Sequence, residues 1–388
     1  MDSVKTAKIF LSIFFFFILV PSAFAYPDFI GYGYSSCATC HYNGLGGGAL
    51  NDYGRALFAT EITARDVFPK NMDEEDIAGM SGFLWKGQLP WWFRPGLKFR
   101  SLWFEQNPGS KASLDRYINM QDDINLNFFL DKKQNFAIIT TTTYVENDPQ
   151  RNRNYAFFEK EYYLRWRLNN NFWVYLGQMD IAYGIRHADH TAANRAPLGL
   201  DQFSQSQGVI THFTYPTWDI ALNAFFGNGS VQESQKEKGF SATGEYQVFE
   251  KFKVGGSVLT EESQVDKRQL AALTTRMGLS KGSSVIAEAG LNNYTNKVTN
   301  ADAQLGSYAW LETLINIRRG YNILTSIEHS KTNINKSSPE VMNWSIGAMI
   351  FPLPRMEFRF AAVNGKVFDQ NSGQYDNWML QTQFHLSY

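Results

Sequence analysis

The sequence predicts an all-β fold: an antiparallel outer-membrane β-barrel of about 16 strands, with a small α-helical domain ahead of it. Three observations carry this expectation. The chain opens on an export signal. Aromatic residues make up 15% of a chain whose mean hydropathy is negative. From Pro95 onward, apolar and polar residues alternate in short segments, and the connections between those segments are alternately short and long.

The export signal comes first. Lys5 and Lys8 supply its positive start, Ile9 to Val20 form an apolar run broken only by Ser12, and Ala23-Phe24-Ala25 provides a small-x-small cleavage site. The run is shorter than the ~20 residues a spanning helix needs, so residues 1–25 are expected to be removed, leaving Tyr26 as the first residue. No later apolar run is long enough for such a helix either. The formal charge is −1, and removing the signal's two lysines and one aspartate makes it −2. A chain without a basic excess lacks the electrostatic footprint of nucleic-acid binding.

Residues 26–94 differ from the rest. They contain Cys37-Ala38-Thr39-Cys40-His41, with the only two cysteines of the chain. This spacing is that of a c-type haem attachment site. Two thiols three positions apart can add to the two vinyl groups of one haem, and the imidazole that follows becomes the proximal iron ligand. The loop Asn43-Gly44-Leu45-Gly46-Gly47-Gly48 comes next, with backbone bare enough to approach a porphyrin edge. From Ala49 to Arg65, Leu50, Tyr53, Leu57 and Ile62 follow roughly helical spacing, and Asn71 to Met80 reads as a second short helix opened by Asp73, Glu74 and Glu75. About 70 residues bury little core unaided, so a cytochrome c-like domain here draws apolar mass from its haem. Met72 and Met80 are the local candidates for the distal ligand. Met80 is preferred because it ends a helical segment beside Gly79 and Gly82. If both are core fillers, a barrel histidine or an open iron position takes that place.

Residues 95–388 carry the barrel. Tyr162, Leu164, Trp166 and Leu168 alternate with Glu161, Arg165 and Arg167, and Phe158 and Glu159 are read as continuing the same two faces. Short connections such as Asp131–Asn135, Glu250–Lys251 and Arg318–Gly320 recur after even-numbered strands, while long polar ones such as 182–206 and 365–375 follow odd-numbered ones. Short turns on one rim and long loops on the other are the layout of outer-membrane barrels, with the short turns periplasmic. The last strand places Trp378, Leu380, Thr382, Phe384, Leu386 and Tyr388 on one face, ending on an aromatic. An even strand number starts and ends the barrel on the periplasmic rim, so the haem domain enters from that side, either hanging below it or tucked into the lumen. Glu159, Glu161, Arg165, Arg167, Asp219, Glu245, Glu288, Glu357 and Arg359 are expected to face a hydrated lumen. In loop 182–206, His187, Asp189 and His190 could bind a transition metal or simply be solvated, and His385 is a further inward-facing imidazole.

With signal, single CxxCH, small helical domain and barrel in this order, the chain resembles the fused monohaem cytochrome–porins of bacterial outer membranes, whose best-known members oxidise iron(II). Pro27-Asp28-Phe29 matches the family's Pro-x-Phe segment ten residues before the first haem cysteine, Cys37, whereas Ile30–Ser36 departs from its more polar stretch. The resemblance implies one covalent haem c on Cys37 and Cys40, ligated by His41. It implies electron transfer between an extracellular donor, acceptor or metal ion such as Fe(II) and periplasmic cytochromes or other carriers, formally an oxidoreductase activity. A diffusion porin with a haem-bearing plug, and a haem peroxidase or sensor, are the alternatives of different class.

Overall fold

A computed structural model describes residues 28–82, 89–110, 113–145, 156–187, 189–299, 302–336, 338–369 and 373–387. The expected signal peptide lies outside the described residues. Sixteen strands, from β1 (Phe93–Gln106) to β16 (Gly373–Ser387), pair antiparallel with their sequence neighbours, and β1 closes on β16. The barrel thus starts at Phe93, two residues before the expected boundary at Pro95. Closure pairs every edge, which is the condition for a sheet to cross a bilayer. No described helix is long and apolar enough to cross.

The alternation does what a barrel wall requires. Leu164, Trp166, Leu222, Phe240 and Leu273 are exposed on the outside, while Tyr163, Arg165, Asn223 and Ser241 are buried inside. Aromatic pairs gather at the short-turn rim: Phe136 stacks on Trp166, Phe172 on Phe213 and Tyr215 on Trp218, at 5.1, 4.5 and 4.4 Å between ring centres. Such a girdle suits a membrane–water interface.

The strict alternation fails where the register shifts, and one such shift bears on the lumen. Between β3 (Phe136–Val145) and β4 (Ala156–Arg167), Thr141 pairs with Glu161 but Thr142 pairs with Glu159, leaving Lys160 as an extra residue. A bulge of one residue exchanges the two faces of a strand. Glu159 is therefore exposed rather than lumenal, and Phe158 turns inward to meet Phe203 of the loop 180–205. Lys160 takes the inward place beside Asp123, 3.4 Å away.

Residues 28–82 form a plug on the short-turn side. A short turn at Asp28–Gly31 lies against the turn before β11 (Ser284–Asn296), where the Gly282 N–H donates to the Gly31 carbonyl at 3.0 Å. The helix Asp52–Leu57 runs on through a wider turn, Phe58–Ile62, and a second helix spans Glu74–Gly79. Asn51 and Asp73 cap these helices, each accepting from a backbone N–H at 2.8 Å. Both helices match the sequence expectation. The plug has only a small core of its own, Ala59, Phe68 and Ile77 with Met72 against them. Its other apolar residues join the barrel interior: Tyr42 and Ala49 pack with Phe129 and Tyr175, and Phe29, Tyr32 and Ile62 pack with Leu314 and Phe351.

Loop 180–205, between β5 (Phe172–Met179) and β6 (Ser206–Thr214), enters the lumen from the opposite rim. Ala192, Asn194, Leu198 and Leu200 are buried there, so this is not the solvated loop that its polar sequence allows.

Candidate functional site

The motif Cys37–His41 sits where plug and inner loop meet. A tight turn over Cys37–Thr39 brings the N–H groups of Cys40 and His41 onto the Cys37 carbonyl at 3.1 and 2.9 Å, so thiols and imidazole are held in one compact turn. His41 then pairs with Leu50 across the glycine loop. Both thiols are free.

Glycines shape the surroundings. Gly46, Gly47 and Gly48 all have positive φ, which a side chain would strain. A Cβ on Gly46 would lie 3.3 Å from Cys37 Sγ, and one on Gly47 would lie 2.8 Å from the Arg186 guanidinium. Gly46 thus brings bare backbone up to Cys37, and Gly47 brings it up to Arg186. Gly44 N–H donates to the Tyr175 hydroxyl at 3.1 Å, fastening the same loop to the barrel wall.

Cys37, Cys40, His41 and Gly46 to Gly48 line a lumenal cavity whose walls also carry His187, His190 and Arg186 from the inner loop. Lys98, Glu357 and His385 from the barrel line it as well. His41 Nδ1 is buried without a hydrogen bond. Burial, with Lys98 and Arg186 nearby, lowers the His41 pKa to about 3, so its ring stays neutral and keeps a lone pair available. Burial also raises the Cys37 thiol, and with Cys37 nearby pushes Cys40 up to about 12, so both remain protonated thiols at neutral pH. Two neighbouring thiols and a neutral imidazole at a partly apolar cavity can form two thioether bonds and one metal–nitrogen bond.

Met80 is not near this place. It caps the helix Glu74–Gly79 on the plug surface, is 36% exposed, and is absent from the cavity walls. Met72 packs in the plug's small core. The expected methionine ligand is therefore displaced in space from His41, because the second helix ends on the plug's outer side. The loop histidines are the ones brought to the motif. His187 stacks on Trp310 at 4.1 Å and its Nε2 meets Asn194 Oδ1 at 2.9 Å, while Asp189 accepts from Thr191 N–H at 2.9 Å. His385 places Nδ1 3.5 Å from Glu357 Oε2. Among the described residues no cluster of three or more His, Cys, Asp or Glu is arranged to hold a bare metal ion.

Several residues that position the site gave no signal in the sequence. Arg186 reaches from the inner loop to the Gly46 carbonyl at 2.6 Å, and it also pairs with Asp180 and, at 3.5 Å, with Glu161. Arg165 donates to the Tyr42 carbonyl at 3.0 Å, and Lys253 and Arg276 converge on the Ser35 carbonyl at 2.8 and 3.2 Å. Of the charges expected to form a hydrated wall, Arg165 instead holds the plug. Glu288 holds the inner loop, accepting from Ile185 N–H, Asn194 Nδ2 and the Tyr308 hydroxyl.

No protein-family profile matches the chain, and no curated protein matches it. Solved structures do. The outer membrane channel DcaP of Acinetobacter baumannii aligns with a TM-score of 0.55 at 12% identity, covering 76% of this chain and 97% of that one. An anion-selective porin from Comamonas acidovorans gives 0.57 at 8%, covering 76% and 99%. Salmonella typhi OmpF, in a complex with daunomycin, gives 0.58 at 10%, covering 76% and 97%. The barrel has the fold of these outer-membrane porins.

Proposed function

We propose that this chain is an outer-membrane barrel carrying one covalent haem c in its lumen, on the plug of residues 28–82, and that it passes single electrons between the outside and periplasmic cytochromes or other carriers. The observation that carries the reading is the common cavity of Cys37, Cys40 and His41, to whose walls the inner loop contributes His187 and His190. The donor set fits the group: two free thiols, a neutral imidazole whose Nδ1 is buried without a partner, and a Gly46 whose side chain would crowd Cys37 Sγ. Bound there, haem supplies one-electron exchange. The chain supplies attachment through Cys37 and Cys40, ligation through His41, and a barrel wall that keeps lipid away. Position in the lumen answers the problem of distance: one haem cannot span about 30 Å of hydrocarbon, so a small redox partner such as a metal ion travels the outer part of the lumen and a carrier meets the plug from below.

Likeness to porins favours a second reading, a diffusion channel in which the haem stiffens or gates the plug. Against free diffusion stands the contact of inner loop and plug through Arg186 and Gly46. The test is stopped-flow absorbance of the protein matured with haem, mixed with Fe(II) and, once reduced, with oxidants, alongside liposome swelling. Fast redox exchange that is lost in His41→Ala supports electron transfer. Rapid swelling that ignores redox state, with an inert haem, supports the channel. A protein without covalent haem overturns both.

A further inference from the structure

We propose that His190, on the inner loop, is the sixth ligand of the haem iron; this rests on the haem reading above. A haem bonded to the plug through Cys37, Cys40 and His41 has one face turned to the plug, and its other axial position must be filled from an element that enters the lumen from elsewhere, or stay open. Loop 180–205 is that element: it descends from the opposite rim, and Arg186 joins it to Gly46 within the motif's own glycine loop. His190 lies four residues beyond Arg186 and lines the same cavity as Cys37, Cys40 and His41.

The ring of His190 is unspent. Its Nδ1 is buried without a partner, and the side chain makes no hydrogen bond among the described residues. Buried polar atoms are nearly always satisfied, so one left over at a cavity calls for a missing partner. The backbone around it, in contrast, is fixed. The His190 carbonyl accepts from Ala196 N–H at 3.1 Å, and Asp189 caps Thr191. The backbone is thus held in place while the imidazole is left to take a partner from the cavity.

The other candidates differ in their surroundings. His187 is stacked face to face on Trp310 and bonded to Asn194. His385 belongs to β16 two residues before its end, at the rim where the plug enters; its Nδ1 is turned to Glu357, and its Nε2 is buried without a partner, so His385 is the competing imidazole that the experiment must separate from His190. Met80 is on the surface.

The experiment uses full-length protein matured with haem in a bacterial host. A haemochrome assay first establishes one covalent haem per chain, independently of the sixth ligand; its absence in the wild type overturns the parent reading and this one together. Given that haem, absorption and electron paramagnetic resonance spectra then read the spin state. The wild type is expected to be low-spin and to resist cyanide and carbon monoxide. His190→Ala is expected to become high-spin, to bind both ligands readily, and to return to low-spin with added imidazole. His190→Met keeps a ligand of similar reach and is expected to remain low-spin with a raised reduction potential, which separates ligation from misfolding. His385→Ala and Met80→Leu are expected to leave the spectrum unchanged. A high-spin wild type, a low-spin His190→Ala, or a spin change in His385→Ala instead overturns the assignment.

Discussion

Arg186 donates from Nη1 to the carbonyl oxygen of Gly46 at 2.6 Å, joining a loop that enters the barrel from one rim to a plug that enters from the other. The same guanidinium pairs with Asp180 and Glu161, so one side chain links loop to plug and is shared by two carboxylates. Removing one partner of a buried ion pair leaves uncompensated charge and costs about 3–5 kcal/mol. Arg186→Ala is therefore expected to destabilise the closed arrangement by an amount of that order. The expected reading in planar bilayers is a larger and noisier single-channel conductance than wild type. Equal conductance in the two proteins would show that this contact does not limit passage.

Glu288 is the second fastening of the inner loop. It accepts from Ile185 N–H at 2.6 Å, from Asn194 at 3.1 Å and from the Tyr308 hydroxyl at 2.8 Å. Gly184 is left-handed, and a Cβ there would meet the Glu288 carboxylate at 2.6 Å, so loop and carboxylate are fitted closely. Hydrogen bonds to a charged acceptor are worth about 1.5–3 kcal/mol each. Glu288→Ala is expected to release the loop without unfolding the barrel. Limited proteolysis at Arg186 and Arg195 measures this, with heat-modifiable gel migration as the check that the barrel has closed. Unchanged cleavage at both arginines would refute the fastening.

Acid is expected to loosen the same loop through His187. Burial holds its pKa down at about 4, against an ordinary value of 6.5. When the loop is out in solvent the ring binds a proton below 6.5, whereas in the packed state it does so only near 4. The depressed value therefore contributes stability above 6.5 that is lost as pH falls through this window, on the order of 3 kcal/mol in full. Protease sensitivity of the loop should rise between these two pH values. His187→Phe keeps a ring against Trp310 and should flatten the profile; a profile that is the same in both proteins would assign the acid response elsewhere.

The barrel was legible in the sequence because its signals are local. Period-two alternation, short turns such as Glu250–Lys251 and the aromatic last strand each follow from where a neighbouring side chain must point. The bulge at Lys160 broke that logic, since one extra residue reversed Phe158 and Glu159 without any change in composition. The inner loop misled in a different way. Polar residues such as Asp189, Asn194 and Arg195 resemble solvated loop, yet inside a lumen they find partners: Thr191, Glu288 and the Tyr183 carbonyl. Cys37, Cys40 and His41 were legible as a spacing. What faces them was not, because Met80 is near in sequence and outside in space, whereas His190 is remote in sequence and shares the cavity.

Gly54 offers a test of how the motif is supported from behind. It lies in the helix Asp52–Leu57, and a Cβ there would lie 2.9 Å from the Cys40 Cβ and closer still to the Cys40 carbonyl oxygen. In an ordinary helix Gly→Ala gains about 0.5–1 kcal/mol. Here the methyl group has no room, and overpacking of this kind costs about 1–3 kcal/mol. The backbone of Cys40 or the helix must shift, and the helix is held by Asp52, whose carboxylate takes Arg94 Nε at 3.0 Å and Nη2 at 2.8 Å. The strain should therefore fall on the motif. Gly54→Ala is expected to lower the haem-to-protein ratio several-fold while heat-modifiable migration of the barrel stays as in the wild type. Haem attachment at wild-type yield would mean that the turn of Cys37–His41 does not depend on the helix behind it, and that Gly54 is there for close packing alone.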